Sequence, residues 1–260
     1  MREKLYQSMI ELTNGRWSSS ILQSFARSKL SKTIIPSYIK YFNITLQDVT
    51  RPIHDFANLH DFFIREVSQE SRPIHIGTSS IISPVDATVE TFGSITKDGI
   101  FWVKDKPYTL ENLLGSQKVA NQFVNGKYII LYLSPAEYHR IHAPVSGDVI
   151  RQYRLGKKSY PVNKWGLQYG KEAISGNYRL VTELCMPNKK HCVHIKVGAM
   201  FVNSIELTNT TSVWKKGEEV GYFSFGSTVV MLFEEGSMEF ASTMKPGKFV
   251  RMGEIVANML

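Results

Sequence analysis

The chain has 260 residues, of which 43% are hydrophobic and 21% are charged. These values are typical of globular proteins and exclude a chain that is disordered throughout. The chain carries 31 Lys and Arg against 23 Asp and Glu, and the net charge of +8 favours an anionic partner, either nucleic acid or a membrane surface. The basic residues are spread along the chain rather than clustered, which argues against nucleic acid.

Cysteine usage and hydropathy indicate the compartment. The two cysteines, Cys185 and Cys192, make no disulfide framework and indicate a reducing environment. No apolar run approaches the ~20 residues needed to span a bilayer. The N-terminus lacks the uninterrupted apolar core of a signal peptide. We therefore expect a soluble or peripheral intracellular protein.

Residues 1–60 are predicted to be helical. A first segment ends at Asn14–Gly15, a second is capped by Ser18–Ser20, and a third covers Ile34–Phe42. The apolar residues at helical spacing in the first two are Leu5, Met9, Leu12, Ile21, Leu22, Phe25 and Leu30. The other face of the second and the interior of the third carry basic residues, which are Arg27, Lys29, Lys32 and Lys40.

A basic amphipathic region with aromatic residues is typical of an interfacial membrane anchor. The alternative is that these helices pack on their own domain or on a second subunit, and the periodicity alone slightly favours that alternative. A homodimer is therefore left open as an assembly.

Short strands are predicted from about residue 80 onwards. Alternating apolar stretches occur at Lys127–Leu133, His191–Val197 and Gly221–Phe233, with frequent Gly and Pro turns between them. The change of pattern falls near Arg72–Pro73. The sequence predicts an α+β protein with a mainly β body, barrel-like or sandwich-like, and helices in front. We expect two regions, a helical membrane-associating region over 1–60 and a β-rich catalytic region over 61–260.

Polar residues beside turns supply three chemical groups. Asp86 offers a carboxylate, His139 and His142 offer imidazoles, and Ser227 offers a hydroxyl. Together they are the set that activates a serine: a base, a residue that orients the base, and a nucleophile. Asp86 could fix the tautomer of one histidine, which would then deprotonate Ser227.

Each of these groups also has a simpler interpretation. A lone Asp after a Pro–Val pair is more often a turn residue. His139 and His142 are three residues apart and could bind a metal, although a third ligand would have to come from elsewhere. His191, Cys192 and His194 form a second cluster, in which strand geometry places only Cys192 and His194 on the same face.

Gly226–Ser227 can likewise be read in two ways. The pair can be an ordinary turn or strand residue in a β-protein. It can also be a peptide bond that the protein cuts itself, because glycine offers an unobstructed carbonyl and tolerates strained backbone angles. A short motif of this kind is common, so the tripeptide alone favours the turn.

Several separated motifs together resemble the phosphatidylserine decarboxylase family. The resemblance covers the chain from about residue 55 to the C-terminus, and the motifs occur in the family's order. They are Phe62–Glu66 (FFIRE), Arg72–Pro73, Ser83–Asp86 (SPVD), Tyr138–Pro144 (YHRIHAP), Asn177–Arg179 (NYR), Val197–Ile205 (VGAMFVNSI) and Gly217–Thr228 (GEEVGYFSFGST). One departure is Ala87, where the family usually has Gly, and it removes no chemical group.

The resemblance implies a self-cleaving proenzyme. Asp86, His142 and Ser227 match the self-cleavage triad, in which Ser227 attacks the Gly226 carbonyl. The resulting ester eliminates to dehydroalanine, which hydrolyses to a pyruvoyl group and ammonia. The products would be a β-chain of residues 1–226 and an α-chain of residues 227–260 that begins with the covalent pyruvoyl cofactor.

The resemblance also implies the reaction of the mature enzyme. The pyruvoyl group from Ser227 would form a Schiff base with phosphatidylserine and accept the electron pair released with CO2. His139 would return a proton, and phosphatidylethanolamine would be the product. Phosphatidylserine in an anionic membrane surface is thus the expected partner, without nucleic acid, at the cytoplasmic side of the cell membrane. Arg140, Lys157 or a backbone nest could contact the phosphate, and nothing in the sequence selects one.

Three rival functions remain at this point. The first is a pyruvoyl-dependent decarboxylase of a soluble amino acid, which would cleave itself without depending on lipid. The second is an uncleaved, non-catalytic lipid-binding domain. The third is a zinc hydrolase.

Overall fold

The computed structural model describes residues 23–162, 167, 172–199, 205–224 and 227–260. In that part of the chain residues 23–27 are helical, and the α-helices that follow are α1 (Ile35–Phe42), α2 (Leu59–Phe63), α3 (Leu110–Leu114) and α4 (Gln117–Ala120). Short 3-10 helices cover Lys29–Ile34, Ile53–Asp55 and Gln69–Ser71. Three parts of the sequence prediction lie outside the described residues. They are the helix expected from Leu5 to Leu12, the caps Ser18–Ser20, and Gly226, whose bond to Ser227 is the expected cleavage site.

Sixteen strands are described, most of them short. They are β1 (Ser80–Ile82), β2 (Ala87–Ser94), β3 (Ile100–Val103), β4 (Lys106–Thr109), β5 (Lys127–Leu133), β6 (Arg140–His142), β7 (Gly147–Leu155), β8 (Arg179–Cys185), β9 (His191–Gly198), β10 (Ile205–Leu207), β11 (Val213–Trp214), β12 (Glu219–Phe223), β13 (Ser227–Phe233), β14 (Met238–Phe240), β15 (Phe249–Val250) and β16 (Ile255–Met259).

An antiparallel sheet of eight strands forms the centre of the molecule. Its order is β11-β7-β8-β9-β13-β5-β2-β15. Both faces of β13 are buried, because Val229 and Met231 enter one core cluster while Val230 and Leu232 enter another. This explains why β13 reads as a nearly continuous apolar run rather than an alternating one.

The two cores lie on opposite faces of the large sheet. The first is shared with two three-stranded sheets, β1-β16-β14 and β10-β12-β6, which contribute Ile81, Ile141 and Val256. The second is covered by α3, α4 and the β3–β4 hairpin. The prediction of an α+β protein with a mainly β body is confirmed, and the body is sandwich-like.

Helix α1 packs on the β body through one face. Ile35, Phe56 and Phe62 form a small core with Ala136, and the Tyr38 hydroxyl donates to the Pro135 carbonyl at 3.3 Å. Its C-terminal cap is Asn43, in the left-handed conformation (φ 54°) that Asn tolerates. In the described part of the chain, none of the helices combines the length and the apolar character required to cross a bilayer.

The close approach at Gly126 gives a test of the central sheet. A Cβ at this position would overlap the carbonyl oxygen of Phe233, and backbone cannot move aside as a side chain can. We expect Gly126→Ala to lower the free energy of unfolding by ~2–3 kcal/mol, measured by urea denaturation. Gly93→Ala is the matched control, because its Cβ would lie 3.5 Å from the Tyr128 ring, an ordinary contact. Equal stabilities of the two variants would contradict the described register.

Candidate active site

Ser227 is the first residue of β13 and is held between two strands. It pairs with Leu133 of β5 on one side and with Gly198 of β9 on the other. Its side chain is fully buried, and its Oγ has no hydrogen-bond partner in the described part of the chain. Because buried hydroxyls are nearly always bonded, an unpartnered one in this position is a candidate for a chemical role.

The segment that carries His139 leads from the large sheet to a small one. β5 pairs with β13, and residues 134–139 lead from β5 to β6, which pairs with β12 in that small sheet. At the far end the Phe223 backbone N–H donates to the His139 carbonyl at 3.0 Å. The backbone of His139 therefore lies beside Phe223, four residues before Ser227 in the sequence.

His139 is fully buried with one nitrogen unpartnered. Its Nδ1–H donates to the Glu137 carbonyl at 2.8 Å, and Nε2 has no partner within the described residues. The ring packs on Phe63, with centroids 3.9 Å apart. Burial, and then the positive charge of Arg65, lower the pKa of His139 to about 3. The ring is therefore neutral at pH 7, with the Nε2 lone pair available as an acceptor.

His142 is held as the tautomer that a general base requires. Its Nδ1–H donates to the Gly217 carbonyl at 2.8 Å, and the Tyr138 hydroxyl donates to Nε2 at 3.0 Å. Burial lowers the pKa of His142, which keeps the ring neutral. A carbonyl that accepts from Nδ1 leaves the lone pair on Nε2.

Asp86 is bound to an arginine rather than to a histidine. Arg72 donates from Nε to both carboxylate oxygens (2.9 and 3.0 Å) and from Nη2 to Oδ2 (2.6 Å), and the Met252 backbone N–H adds a bond of 2.8 Å. Burial lowers the pKa of Arg72, but the bonds to Asp86 and Asp48 outweigh it and raise the pKa.

The expected hydrogen bond from a His142 ring N–H to the Asp86 carboxylate is therefore not formed, nor is one from the Ser227 hydroxyl to His142. The physical reason is that the guanidinium fork of Arg72 matches both oxygens of a carboxylate at once, which a single imidazole N–H cannot do. Gly217 supplies the orienting acceptor instead. A backbone carbonyl carries no side-chain signal, so the sequence could not have indicated it.

Helix α2 and the residues after it contribute side chains to the site whose role is not evident from the sequence. His60 Nε2 is hydrogen bonded to the Ser224 hydroxyl at 3.3 Å, Phe63 packs on His139, and Arg65 follows directly after the helix. Burial, followed by the charge of Arg27, lowers the pKa of His60 to about 4. Phe63 and Arg65 belong to the FFIRE motif, and this motif is the sequence signal that could have pointed to them as site residues.

Two cavities lie beside His142 and Asp86 and share part of their lining. The larger, about 710 Å³, is lined by Tyr138, His142, Gly217 and Arg72 among others. The smaller, about 300 Å³, is lined by Asp86, Arg65, Glu137, Tyr138 and Arg72 among others. Tyr138 and Arg72 border both, so Asp86 and His142 lie on opposite sides of a shared wall.

The second histidine cluster is divided between the two faces of β9. His191 Nδ1 contacts Glu183 Oε1 at 2.6 Å, whereas Cys192 and His194 are buried on the opposite face. Over the described residues, no three His, Cys, Asp or Glu side chains are placed to hold a metal ion together.

Comparison with known proteins places the chain in a family. The family model described as phosphatidylserine decarboxylase matches residues 59–258, which is most of the chain. The chain belongs to the phosphatidylserine decarboxylase family. Proteins named phosphatidylserine decarboxylase proenzyme from Bacillus thuringiensis subsp. konkukian (strain 97-27) and Bacillus cereus (strain 03BB102) are each 46% identical over 260 residues, covering 100% of this chain and 99% of the relative.

The family match begins at α2 and includes every candidate residue. Asp86, His139, His142 and Ser227 all lie between 59 and 258, as does Arg72. The full-length relatives are named proenzymes, so their names describe precursors of a phosphatidylserine decarboxylase. These matches extend through the N-terminal residues that precede the family model.

The buried neutral histidine predicts a dependence of stability on pH. In the unfolded chain a histidine takes up its proton near pH ~6.5, whereas folded His139 does so only at about pH 3. The unfolded chain binds more protons between these values, so the free energy of unfolding falls as pH falls through this interval. We expect His139→Gln to reduce that slope by ~1.4 kcal/mol per pH unit, measured by urea denaturation between pH 7 and pH 4.

The matched control is His54→Gln, because the His54 side chain is 82% exposed. We expect its slope to equal that of the wild type. If His139→Gln also keeps the wild-type slope, His139 is not the neutral buried ring that the structure describes.

Proposed function

We propose that this chain is a proenzyme that cuts itself between Gly226 and Ser227 and then decarboxylates phosphatidylserine to phosphatidylethanolamine. The observation that carries the proposal is the buried Ser227 hydroxyl, which has no hydrogen-bond partner among the described residues, in a chain that matches a phosphatidylserine decarboxylase proenzyme over 99% of its length. The cut would yield a β-chain of residues 1–226 and an α-chain of residues 227–260.

In self-cleavage His142 would act as the base. It is neutral, and its Nε2 carries the lone pair that can accept the Ser227 proton once the Tyr138 hydroxyl releases it. Asp86 would act through its charge, since it is among the groups that raise the pKa of His142 against the larger lowering by burial. The Ser227 oxygen would then attack the carbonyl of Gly226 and break the peptide bond through an ester.

The residues around Ser227 fit a pyruvoyl group. That group needs a dry site with a proton carrier, and Ser227 and His139 are both fully buried. When present, it supplies an electrophilic carbonyl that takes up the substrate amine and receives the electron pair released with CO2. His139 would return a proton from Nε2, the nitrogen with no partner in the described residues.

Because His139 is neutral in the structure, it must gain a proton before it can donate one. The two causes that lower its pKa are burial and the charge of Arg65. An anionic substrate beside Arg65 would weaken the second cause, so binding and protonation would support each other.

The region of residues 1–60 would bring the site to the membrane, and 61–260 would form the catalytic region. Leu30 and Tyr41 are 74% and 82% exposed, and Lys29, Lys32 and Lys40 of the same region are exposed as well. Apolar and basic side chains together favour an anionic bilayer surface, where each cation contributes ~1 kcal/mol. We propose a peripheral position on the cytoplasmic side of the cell membrane.

The cleavage proposal predicts a pattern of fragments and activities. On a denaturing gel, wild type should show two fragments, whereas Ser227→Ala, His142→Ala and Asp86→Ala should each show one full-length chain. His139→Ala should be cleaved yet release no headgroup CO2, because its role follows cleavage.

The rival functions give different outcomes in the same experiment. Cleaved protein that decarboxylates free serine as fast as phosphatidylserine would indicate a soluble amino acid as substrate. An uncleaved wild type would indicate a lipid-binding domain, and an uncleaved His139→Ala would overturn the division of roles between the two histidines.

The membrane proposal predicts a loss of lipid binding from two exposed side chains. We expect Leu30→Ser with Tyr41→Ser to reduce co-flotation with vesicles containing anionic lipid by about tenfold, since the apolar area that enters the interface is removed. Trp102→Ser is the matched control, because Trp102 is 50% exposed on β3. Undiminished flotation of the double variant, or equal losses in the control, would contradict the assignment.

A further inference from the structure

Arg65 is a buried guanidinium that forms no ion pair with a carboxylate of the described residues. It is 3% exposed, and its Nη2 donates to the carbonyls of Ala136 (2.5 Å) and Glu137 (3.1 Å). Its Nη1 is buried and has no hydrogen-bond partner in the part of the chain that the structure describes. Arginine stays protonated in proteins, so this is a buried positive charge with an unused donor.

The cavity of about 300 Å³ beside Arg65 is lined by further arginines. Arg72 is already bound by Asp86 and Asp48. Arg251 is exposed and has no ion-pair partner among the described residues. Burial raises the pKa of Glu137, which favours its neutral form. Two cationic side chains, Arg65 and Arg251, therefore remain available in a cavity whose aspartates are occupied.

The cavity is lined both by exposed residues near α1 and by the residues next to His139. On the surface side it is lined by Asn43 and Thr45, which follow α1, and by Phe249, which is 43% exposed. On the inner side it is lined by Glu137 and Tyr138, the two residues before His139. A ligand with an apolar tail at the surface would place its polar head beside Arg65.

We propose that Arg65 and Arg251 bind the phosphodiester of the phospholipid headgroup, Arg65 inside the cavity and Arg251 at its rim. This inference rests on the proposed function. The planar guanidinium suits a phosphodiester, because two N–H groups can donate to two oxygens of one anion. Arg65 Nη1 has no hydrogen-bond partner among the described residues and can donate to the phosphodiester, whereas Nη2 donates to the Ala136 carbonyl.

The chemistry of the reaction favours the phosphate over the carboxylate as the group on Arg65. The carboxylate loses its charge as CO2 leaves, so a cation bound to it would stabilise the ground state more than the transition state. The phosphodiester keeps its charge throughout. An anion on Arg65 would also offset the charge that, after burial, lowers the pKa of His139.

Kinetics of charge-removal variants give the first test. With dispersed short-chain phosphatidylserine, we expect Arg65→Gln to raise KM about tenfold or more without lowering kcat, because uniform binding is lost and a charge that lowers the pKa of the proton donor His139 is removed. Arg65→Lys should recover part of the affinity. Arg251→Gln should raise KM by a smaller factor. It is the test variant to use if Arg65→Gln does not fold. Arg154→Gln is the matched control, because Arg154 is exposed on β7 and does not line the cavity.

Direct binding to the full chain gives a second test that needs no activity. We expect glycerophosphoglycerol, a phosphodiester without amine or carboxylate, to bind the wild type and to lose affinity about tenfold in Arg65→Gln, measured by calorimetry. Propionate binding should be the same in both proteins. If the wild type binds the phosphodiester through Arg65 but neither cleaves nor decarboxylates, the proposed function fails and this assignment stands.

Other outcomes overturn the assignment. Loss of propionate binding alone would place the carboxylate on Arg65. Loss of inorganic phosphate binding with an unchanged KM for lipid would indicate a site for free phosphate. A fall in kcat with unchanged binding of every probe would show that Arg65 only holds the Ala136 and Glu137 carbonyls.

Discussion

The pairing of β13 with both β5 and β9 is the constraint on which the site depends. It fixes Ser227 between Leu133 and Gly198, at the first residue of a central strand that is buried on both faces. The same β5 continues into the connection that carries His139. A rigid central sheet therefore sets the position of the serine and of the histidine together, as a site with small tolerances requires.

The buried polar groups of the site that have hydrogen-bond partners differ in role from those that have none among the described residues. Asp86 is saturated by Arg72 and the Met252 N–H, and these bonds fix Asp86 in the lining of the smaller cavity. Ser227 Oγ, His139 Nε2 and Arg65 Nη1 are buried with no partner among the described residues. In our proposals these three groups act on the scissile bond or on substrate, and His142, whose ring nitrogens are both bonded, acts as the base for Ser227. The cost of leaving them unpaired is met by the packed sheets around them.

The sequence predicted the strands more completely than the contacts between polar side chains. Lys127–Leu133 is the strand that was expected, because its pattern and length are clear. The stretch from Gly221 to Phe233 reads as one strand but contributes to β12 and β13 in different sheets, since an apolar pattern does not show a change of partner. Arg72 as the partner of Asp86 could not be inferred from spacing, because side chains fourteen residues apart meet only through the fold.

The mass of the C-terminal fragment, residues 227–260, tests most directly whether Ser227 is consumed to make the cofactor. We expect intact-mass spectrometry of the purified protein to show this fragment lighter, by the mass of one ammonia, than the same peptide with an N-terminal serine. It should also react with a carbonyl reagent such as phenylhydrazine. A fragment that begins with unmodified serine, or a chain that stays whole, would contradict the pyruvoyl mechanism.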